Sequence, residues 1–311
     1  MFSVIIPVYN KADVVEHSIK SVLMQLSLED ELIIVNDGST DDVENVLAKY
    51  HHLLNVKILH QKNKGVSAAR NLGIQYSKGD IITFLDADDT WTQDNLKVMR
   101  HLLALFPQAG LYCAAAEIIT PRGKYYDSFD ILPQKPKEPI CIEDFFAFSL
   151  TFKGSILYTG ALCIPKRILD HVGLFKEGAK IGEDTDLWLR IAAYHPVACS
   201  PKKTLVYHRE LSSATKETWM DTQWYFEKRE ANLLRDEKIP PEKRKNLWRY
   251  MERFRISKAR HLLLTGNRWE AWQVMKQVSK NNGLLYQTLL TYVFFCIPKM
   301  LLQKIYKKYI Q

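Results

Sequence analysis

Within its first 110 residues the chain alternates short apolar runs with stretches whose apolar positions recur at helical spacing. The runs are FSVIIPV (2–8), ELIIVN (31–36), VKILHQ (56–61) and DIITFLD (80–86). Between them, residues 13–26, 41–51 and 66–77 read as helices, and Ser39, Thr40 and Asp41 offer a cap for the second. Repeated β-α units of this kind restrict the fold to the α/β class, with a Rossmann-like, mainly parallel sheet flanked by helices. In such sheets ligands gather beyond the carboxyl ends of the strands. That singles out Tyr9 and Asn10, then Asp37 to Asp41, then Asn63 to Ser67, then Asp86 to Asp89.

From 107 to 142 the pattern weakens into short strands and turns, broken by Pro121, Gly123, Pro133, Pro136 and Pro139. A helix is expected at 143–150, a strand at 157–164 and another helix opening near Glu183. Beyond 215 the chain reads as entirely helical, with segments near 216–236, 241–265 and 268–280 and a last apolar stretch from 284. The reading gives a catalytic domain over 1–214 and a helical, basic region over 215–311.

The net charge of +8 is unevenly spread. Residues 1–214 hold 23 Lys and Arg against 26 Asp and Glu, whereas residues 215–311 hold 20 against 9. An acidic first domain argues against nucleic acid as a partner. The basic final third, which holds five of the seven tryptophans, points to an anionic surface, with a membrane as the leading candidate. The opening MFSVIIPVYN reads as a first strand rather than a secretory signal, so the protein is expected in the cytoplasm. Five widely spaced cysteines without a C-x-x-C pair read as reduced thiols.

Four acidic or glycine-containing segments carry the chemistry. FLDADD delivers Asp86, Asp88 and Asp89 to the end of a buried strand. Such crowded carboxylates favour a hard divalent cation, Mn²⁺ or Mg²⁺, which would bridge a diphosphate; the same acids would also cap the helix expected at 92–106. VNDGSTDD supplies Asp37, either as an acceptor for a nucleobase N–H or as part of an ordinary turn. NKGVSAARN sets Gly65, Arg70 and Asn71 at a strand-to-helix junction, where a guanidinium can reach a phosphate or a base. No G-x-G-x-x-G follows the first strand, which counts against a nicotinamide or flavin dehydrogenase. GEDTDLWLR places Glu183, Asp184 and Asp186 at a helix start, as macrodipole partners or as a general base. His208 is a candidate third metal ligand or diphosphate contact.

Taken in order, VIIPVYN, ELIIVNDGSTDD, NKGVSAARNLGI, FLDADD and GEDTDLWLR resemble the family 2 inverting glycosyltransferases of GT-A fold, over about residues 1–210. The resemblance implies direct displacement at the anomeric carbon of a nucleotide-diphosphate sugar, with a UDP-sugar preferred. By it, Pro7, Tyr9 and Asp37 border the nucleobase and ribose, and Arg70 helps hold the nucleotide. Asp86 contacts the ribose or sugar, Asp88 ligates the metal, and Asp184 is the catalytic base beside Glu183, with Asp186 as a substitute. Two departures stand out. Many relatives carry Y-R-x-H where this chain reads Tyr207-His208-Arg209-Glu210, and the proline that often follows FLDADD is missing from TWTQDN.

The last stretch, LLYQTLLTYVFFCIP (284–298), stops short of the ~20 apolar residues of a bilayer span and is followed by Lys304, Lys307 and Lys308. It reads either as an in-plane helix on an anionic leaflet or as a helix packed back on protein. Residues 241–280 read as a helix pair joined through Ala259, Leu262, Leu263, Ala271 and Val274. The expected acceptor is a glycan or lipid-linked hydroxyl of the cell envelope, at the cytoplasmic face of the inner membrane. The alternatives are a sugar nucleotidyltransferase, for which the glycine-rich basic loop after the first strand is absent, and a non-catalytic nucleotide- or glycan-binding module.

Overall fold

The computed structural model describes residues 1–120, 123, 125–179, 182–208, 225–279, 283–298, 301 and 302. The chain divides into two compact units, Met1–Glu217 and Thr218–Gln311.

The first unit begins as the sequence predicts: β1 (Phe2–Val8), α1 (Val15–Leu23), β2 (Glu31–Asn36), α2 (Val43–Ala48), β3 (Val56–His60), α3 (Val66–Tyr76) and β4 (Ile81–Phe84). Then come β5 (Thr90–Trp91), α4 (Asn95–Leu105), β6 (Leu111–Ile119), β7 (Tyr125–Asp127) and β8 (Ile140–Ile142). The unit continues with α5 (Phe145–Ser149), β9 (Leu162–Pro165), α6 (Lys166–Val172), α7 (Glu183–Tyr194) and β10 (Val197–His208).

The described strands form one sheet in the order β3-β2-β1-β4-β9-β6-β10-β5, with β7 on β6 and β8 on β10. Pairing is parallel from β3 to β4, as expected for the first 110 residues, and turns mixed beyond, where β9 runs antiparallel to both β4 and β6. Every residue of β1 and β2 is buried, which is why both appear in the sequence as unbroken apolar runs. Gly73 lets α3 lie close to β1, since a Cβ there would stand 2.5 Å from Ile5 Cγ2.

Several local expectations are corrected. The acids of FLDADD do not cap the following helix. Thr90 and Trp91 instead form β5 against β10, and α4 begins after Asp94, without a side-chain cap. The second helix starts one residue later than its proposed cap: Asp42 is the N-cap, Asp41 Oδ1 only accepts from Val43 N at 3.3 Å, and Ser39 and Thr40 are engaged with Asn10. The segment read as short strands and turns contains the nine-residue β6, and Pro201, Lys202 and Lys203 sit inside the twelve-residue β10, where the register with β6 shifts. Pro121 lies outside the described residues.

The second unit consists, among its described residues, of α8 (Tyr225–Arg235), α9 (Pro241–Thr265), α10 (Arg268–Gln277) and α11 (Leu285–Cys296). Leu262, Leu263 and Ala271 form its small core with Leu302, and Val274, Phe294, Phe295 and Ile297 pack against them. The expected helix pair is therefore present, and α11 packs back on it. Arg260 Nε reinforces this by donating to Thr291 Oγ1 at 2.7 Å. No helix among the described residues is long and apolar enough to cross a membrane. Lys304, Lys307 and Lys308 lie outside the described residues.

Candidate functional site

The order β3-β2-β1 runs one way from β1, and β4 opens the other side. Strand order thus reverses between β1 and β4, and a crevice forms beyond their carboxyl ends, the usual ligand position in an open α/β sheet. Lys11, just past β1, and Asp88, just past β4, meet across it: Lys11 Nζ lies 2.7 Å from Asp88 Oδ2. Burial and the neighbouring Asp86 nevertheless hold the Asp88 carboxyl above its ordinary value, against the pull of Lys11. Burial pushes Asp89 well up, helped by the charges of Asp86 and Asp88.

The loops after β1 and β2 are fastened to each other. Asn10, with φ of 51°, accepts from Thr40 N at 2.8 Å and donates its backbone N–H to Ser39 Oγ at 3.0 Å. Asp37 closes the next gap: its buried carboxylate accepts from Gln61 Nε2 at 2.6 Å and from the backbone N–H groups of Lys64 and Gly65, both at 2.9 Å. Gly65 (φ 88°) precedes α3, and its N–H is committed to Asp37. Tyr9 is exposed at the mouth of this loop cluster, whereas Pro7 is buried inside β1 opposite Val35.

Arg70 occupies a different place from the one sequence reasoning gave it. Its guanidinium is buried, with Nη2 donating to Asp86 Oδ1 at 2.7 Å and Nη1 to Glu183 Oε1 at 2.9 Å. Burial alone would lower its pKa, but Asp86 and Glu183 outweigh this and raise it. The guanidinium stacks 5.2 Å from the Phe175 ring, which packs in turn on Phe84 and Trp188. This apolar seat explains the state of Glu183: burial first, then the adjacent Asp184, push its carboxyl up to about 7 despite Arg70. Arg70 therefore positions two carboxylates instead of reaching out to a phosphate. Asn71 holds the loop carrying Phe175, donating to its carbonyl at 2.9 Å and accepting its N–H at 3.0 Å.

Asp184 is the partly exposed acid of the α7 start. Thr159 Oγ1 donates to its Oδ2 at 3.3 Å, and Thr185 Oγ1 donates to its Oδ1 at 3.2 Å. Asp186 points the other way. It is buried on Arg190, 2.8 Å from Nη2, and Arg190 also donates to the carbonyls of Val172, Gly173 and Leu174. That removes Asp186 as a substitute base, because both partners serve to strap the end of α6 to α7.

His208, at the end of β10, donates its backbone N–H to Asp89 Oδ1 at 2.9 Å, and its Nε2 lies 3.5 Å from Thr90 Oγ1. The described residues contain no group of three or more His, Cys, Asp or Glu set to hold a metal ion. Structure and sequence thus agree on bringing Asp86, Asp88, Glu183 and Asp184 to one end of the sheet. Lys11 and Thr159 were missed; the only signal for Lys11 was its place three residues beyond the end of β1.

These features are those of the GT-A nucleotide-diphospho-sugar transferase fold. The sequence model of the family described as Glycosyl transferase family 2 matches residues 3–169, and the chain belongs to that family. It is 32% identical over 235 residues to the uncharacterized glycosyltransferase RC0461 of Rickettsia conorii, an alignment covering 72% of this chain and 35% of that protein. It is 39% identical over 104 residues to the minor teichoic acid biosynthesis protein GgaA of Bacillus subtilis, covering 31% of this chain and 23% of GgaA. The chain therefore spans about a third or less of the length of these relatives. Among solved structures, residues 1–349 of S. aureus TarS superpose with a TM-score of 0.69 at 18% identity, covering 99% of this chain and 91% of that one. The same TarS segment in complex with UDP-GlcNAc also gives 0.69, at 16% identity with the same coverage.

Proposed function

We propose that the chain is an inverting glycosyltransferase that moves a sugar from a nucleotide-diphosphate sugar, a UDP-sugar by preference, to a hydroxyl of a glycan or lipid-linked acceptor in cell-envelope polysaccharide synthesis. The observation that carries this is the Asp86–Arg70–Glu183 link, which ties the crevice of β1 and β4 to the helix start bearing Asp184. The UDP-GlcNAc complex of TarS supports the donor class, and GgaA supports the envelope setting.

In this reading Tyr9 and the Asn10–Thr40 and Asp37 loops border the base and ribose, and Asp86 meets the ribose or sugar. Asp184 takes the proton of the acceptor hydroxyl as its oxygen attacks the anomeric carbon, and Thr159 holds one carboxylate oxygen in place. Glu183 sits behind it on Arg70. Direct attack inverts the anomeric centre and leaves no covalent enzyme intermediate.

The donor set suits a hard divalent cation, Mn²⁺ or Mg²⁺. Asp88 offers oxygen only, and it is held above its ordinary pKa by burial and Asp86 even with Lys11 beside it, the condition of a carboxylate short of positive charge. Asp88 would be the protein ligand, with donor phosphates completing the shell and His208 as a candidate contact. When bound, such a cation supplies charge stabilisation to the departing diphosphate. The same proposal keeps the protein on the cytoplasmic face of the inner membrane, through its helical C-terminal region.

The test is release of free nucleotide from UDP-, GDP-, dTDP- and CMP-sugars, with Mn²⁺, Mg²⁺ or EDTA, beside Asp88→Ala. Turnover or metal-dependent binding of one donor, lost in the variant, supports the reading. Neither turnover nor binding with any donor would sink it.

A further inference from the structure

The described helices of the second unit bury one side of α11 and leave the other open. Facing inward are Thr291 and, against the small core, Phe294 and Phe295. Facing outward are Leu289, Tyr292, Val293 and Cys296, spaced as a single helical stripe. This is the reverse of a surface helix in water, where the outer stripe is polar. No charged residue occurs between Leu285 and Pro298 to relieve it.

The stripe does not stand alone. Trp272 of α10 packs its ring 6.4 Å from Tyr292 and 5.8 Å from Phe295, which makes one continuous face of the two helices. One turn earlier on α10, Trp269 is 72% exposed, and Leu289 and Val293 are 54% and 53% exposed. Lys276 stands at the margin, its Nζ 5.9 Å from the centre of the Trp272 ring. An apolar face with tryptophan and tyrosine at its edge and lysine beside it has the chemistry of a lipid interface.

We infer that the face formed by Trp269 and Trp272 of α10 with Leu289, Tyr292 and Val293 of α11 inserts into the interfacial layer of an anionic phospholipid bilayer. Charge decides between the occupants. Residues 215–311 carry 20 Lys and Arg against 9 Asp and Glu, so a second copy would bring the same excess of positive charge, whereas an anionic leaflet brings the opposite one. The helix lies in the plane of the surface, since no described helix is long and apolar enough to cross it. The inference deepens the membrane part of the proposal above, and the choice of lipid rests on that reading.

Co-sedimentation with phosphatidylcholine vesicles containing about 30% phosphatidylglycerol, against phosphatidylcholine alone, tests it on the full chain. The variant is Trp269→Ser with Leu289→Ser and Val293→Ser, three positions that face solvent and leave the small core intact. Expected results are binding to the anionic vesicles, weakened by salt, and a loss of affinity of about tenfold or more in the variant. Quenching of tryptophan fluorescence by brominated lipid supports the same conclusion. Failure of the wild type to sediment, or equal binding by the variant, overturns it. So does concentration-dependent self-association that the variant abolishes, which would give the face to a second copy. UDP-sugar binding read in the same samples separates the two readings: donor binding without vesicle binding sinks this face alone, and vesicle binding without donor binding supports the face while sinking the transferase.

Discussion

Lys11 Nζ rests 2.7 Å from Asp88 Oδ2, so the carboxylate proposed to meet a divalent cation already has a resident cation of its own. The two can both serve only in turn, or with Lys11 moved onto the donor's phosphates. Lys11→Met is therefore expected to tighten Mn²⁺ binding in the absence of donor by about fivefold, the worth of a partly exposed ion pair. Titration calorimetry without nucleotide measures this. Unchanged or weaker Mn²⁺ binding would show that Lys11 does not compete for Asp88.

Asp184→Asn keeps the shape of the side chain and removes its basicity. We expect kcat to fall by about 10²–10⁴, with the dissociation constant for the donor nearly unchanged, because a general base acts in the transition state. Donor binding lost together with turnover would mean that Asp184 holds the donor and that the base lies elsewhere.

Arg70 is the only described link between Asp86 and Glu183, and it is buried with its charge divided between them. Arg70→Met leaves Glu183 buried without its counter-charge, so that it must take up a proton or stand ionised and unpaired. The expected loss is about 3 kcal/mol of unfolding free energy, discounted on the Asp86 side because that carboxylate is partly exposed. Arg70→Lys should recover only part of it, since an ammonium cannot span both acids. Urea unfolding of the three proteins measures the difference, and a change under about 0.5 kcal/mol in the methionine variant would refute it.

Stability should also depend on pH through Glu183. Burial and then Asp184 raise its carboxyl from 4.5 to about 7, so the folded state binds its proton more tightly than the unfolded chain does. The resulting stabilisation is complete below about pH 4.5 and disappears as the pH rises through about 7. Glu183→Gln has no proton to lose and should show a shallower decline between about pH 5 and about pH 8 in urea midpoints. Some decline remains, because Asp88 and Asp89 are shifted in the same direction. Identical slopes in the two proteins would assign the effect to those acids alone.

The legible part of the fold is the part whose burial is recorded locally. Strands β1, β2 and β4 show themselves as apolar runs, and the helices between them as periodic patterns. Strand β6 is harder because its buried centre is Ala114, Ala115 and Ala116, residues of weak strand preference that fit where neighbouring strands pack tightly. Strand β10 shows no unbroken apolar run, because Pro201, Lys202 and Lys203 interrupt it where its pairing with β6 shifts register. The site divides in the same way. Spacing placed Asp86, Asp88 and Asp184 near strand and helix ends, but no local pattern announces that Lys11 pairs with an acid 77 residues away, or that Arg70 is claimed by Glu183 at a separation of 113. Such pairings depend on how the loops fold over one another.

If the chain takes a nucleotide-sugar as proposed, Asp37 bears on any attempt to change which nucleotide it accepts. Three donors from the chain already occupy its carboxylate, two on one oxygen and one on the other, which leaves a single acceptor position to spare. A designer who replaces this residue to recode base preference would first unlatch the turn that launches α3, and with it the helix that carries Arg70. Retargeting is better begun at Tyr9, which is exposed at the opening of the same loops.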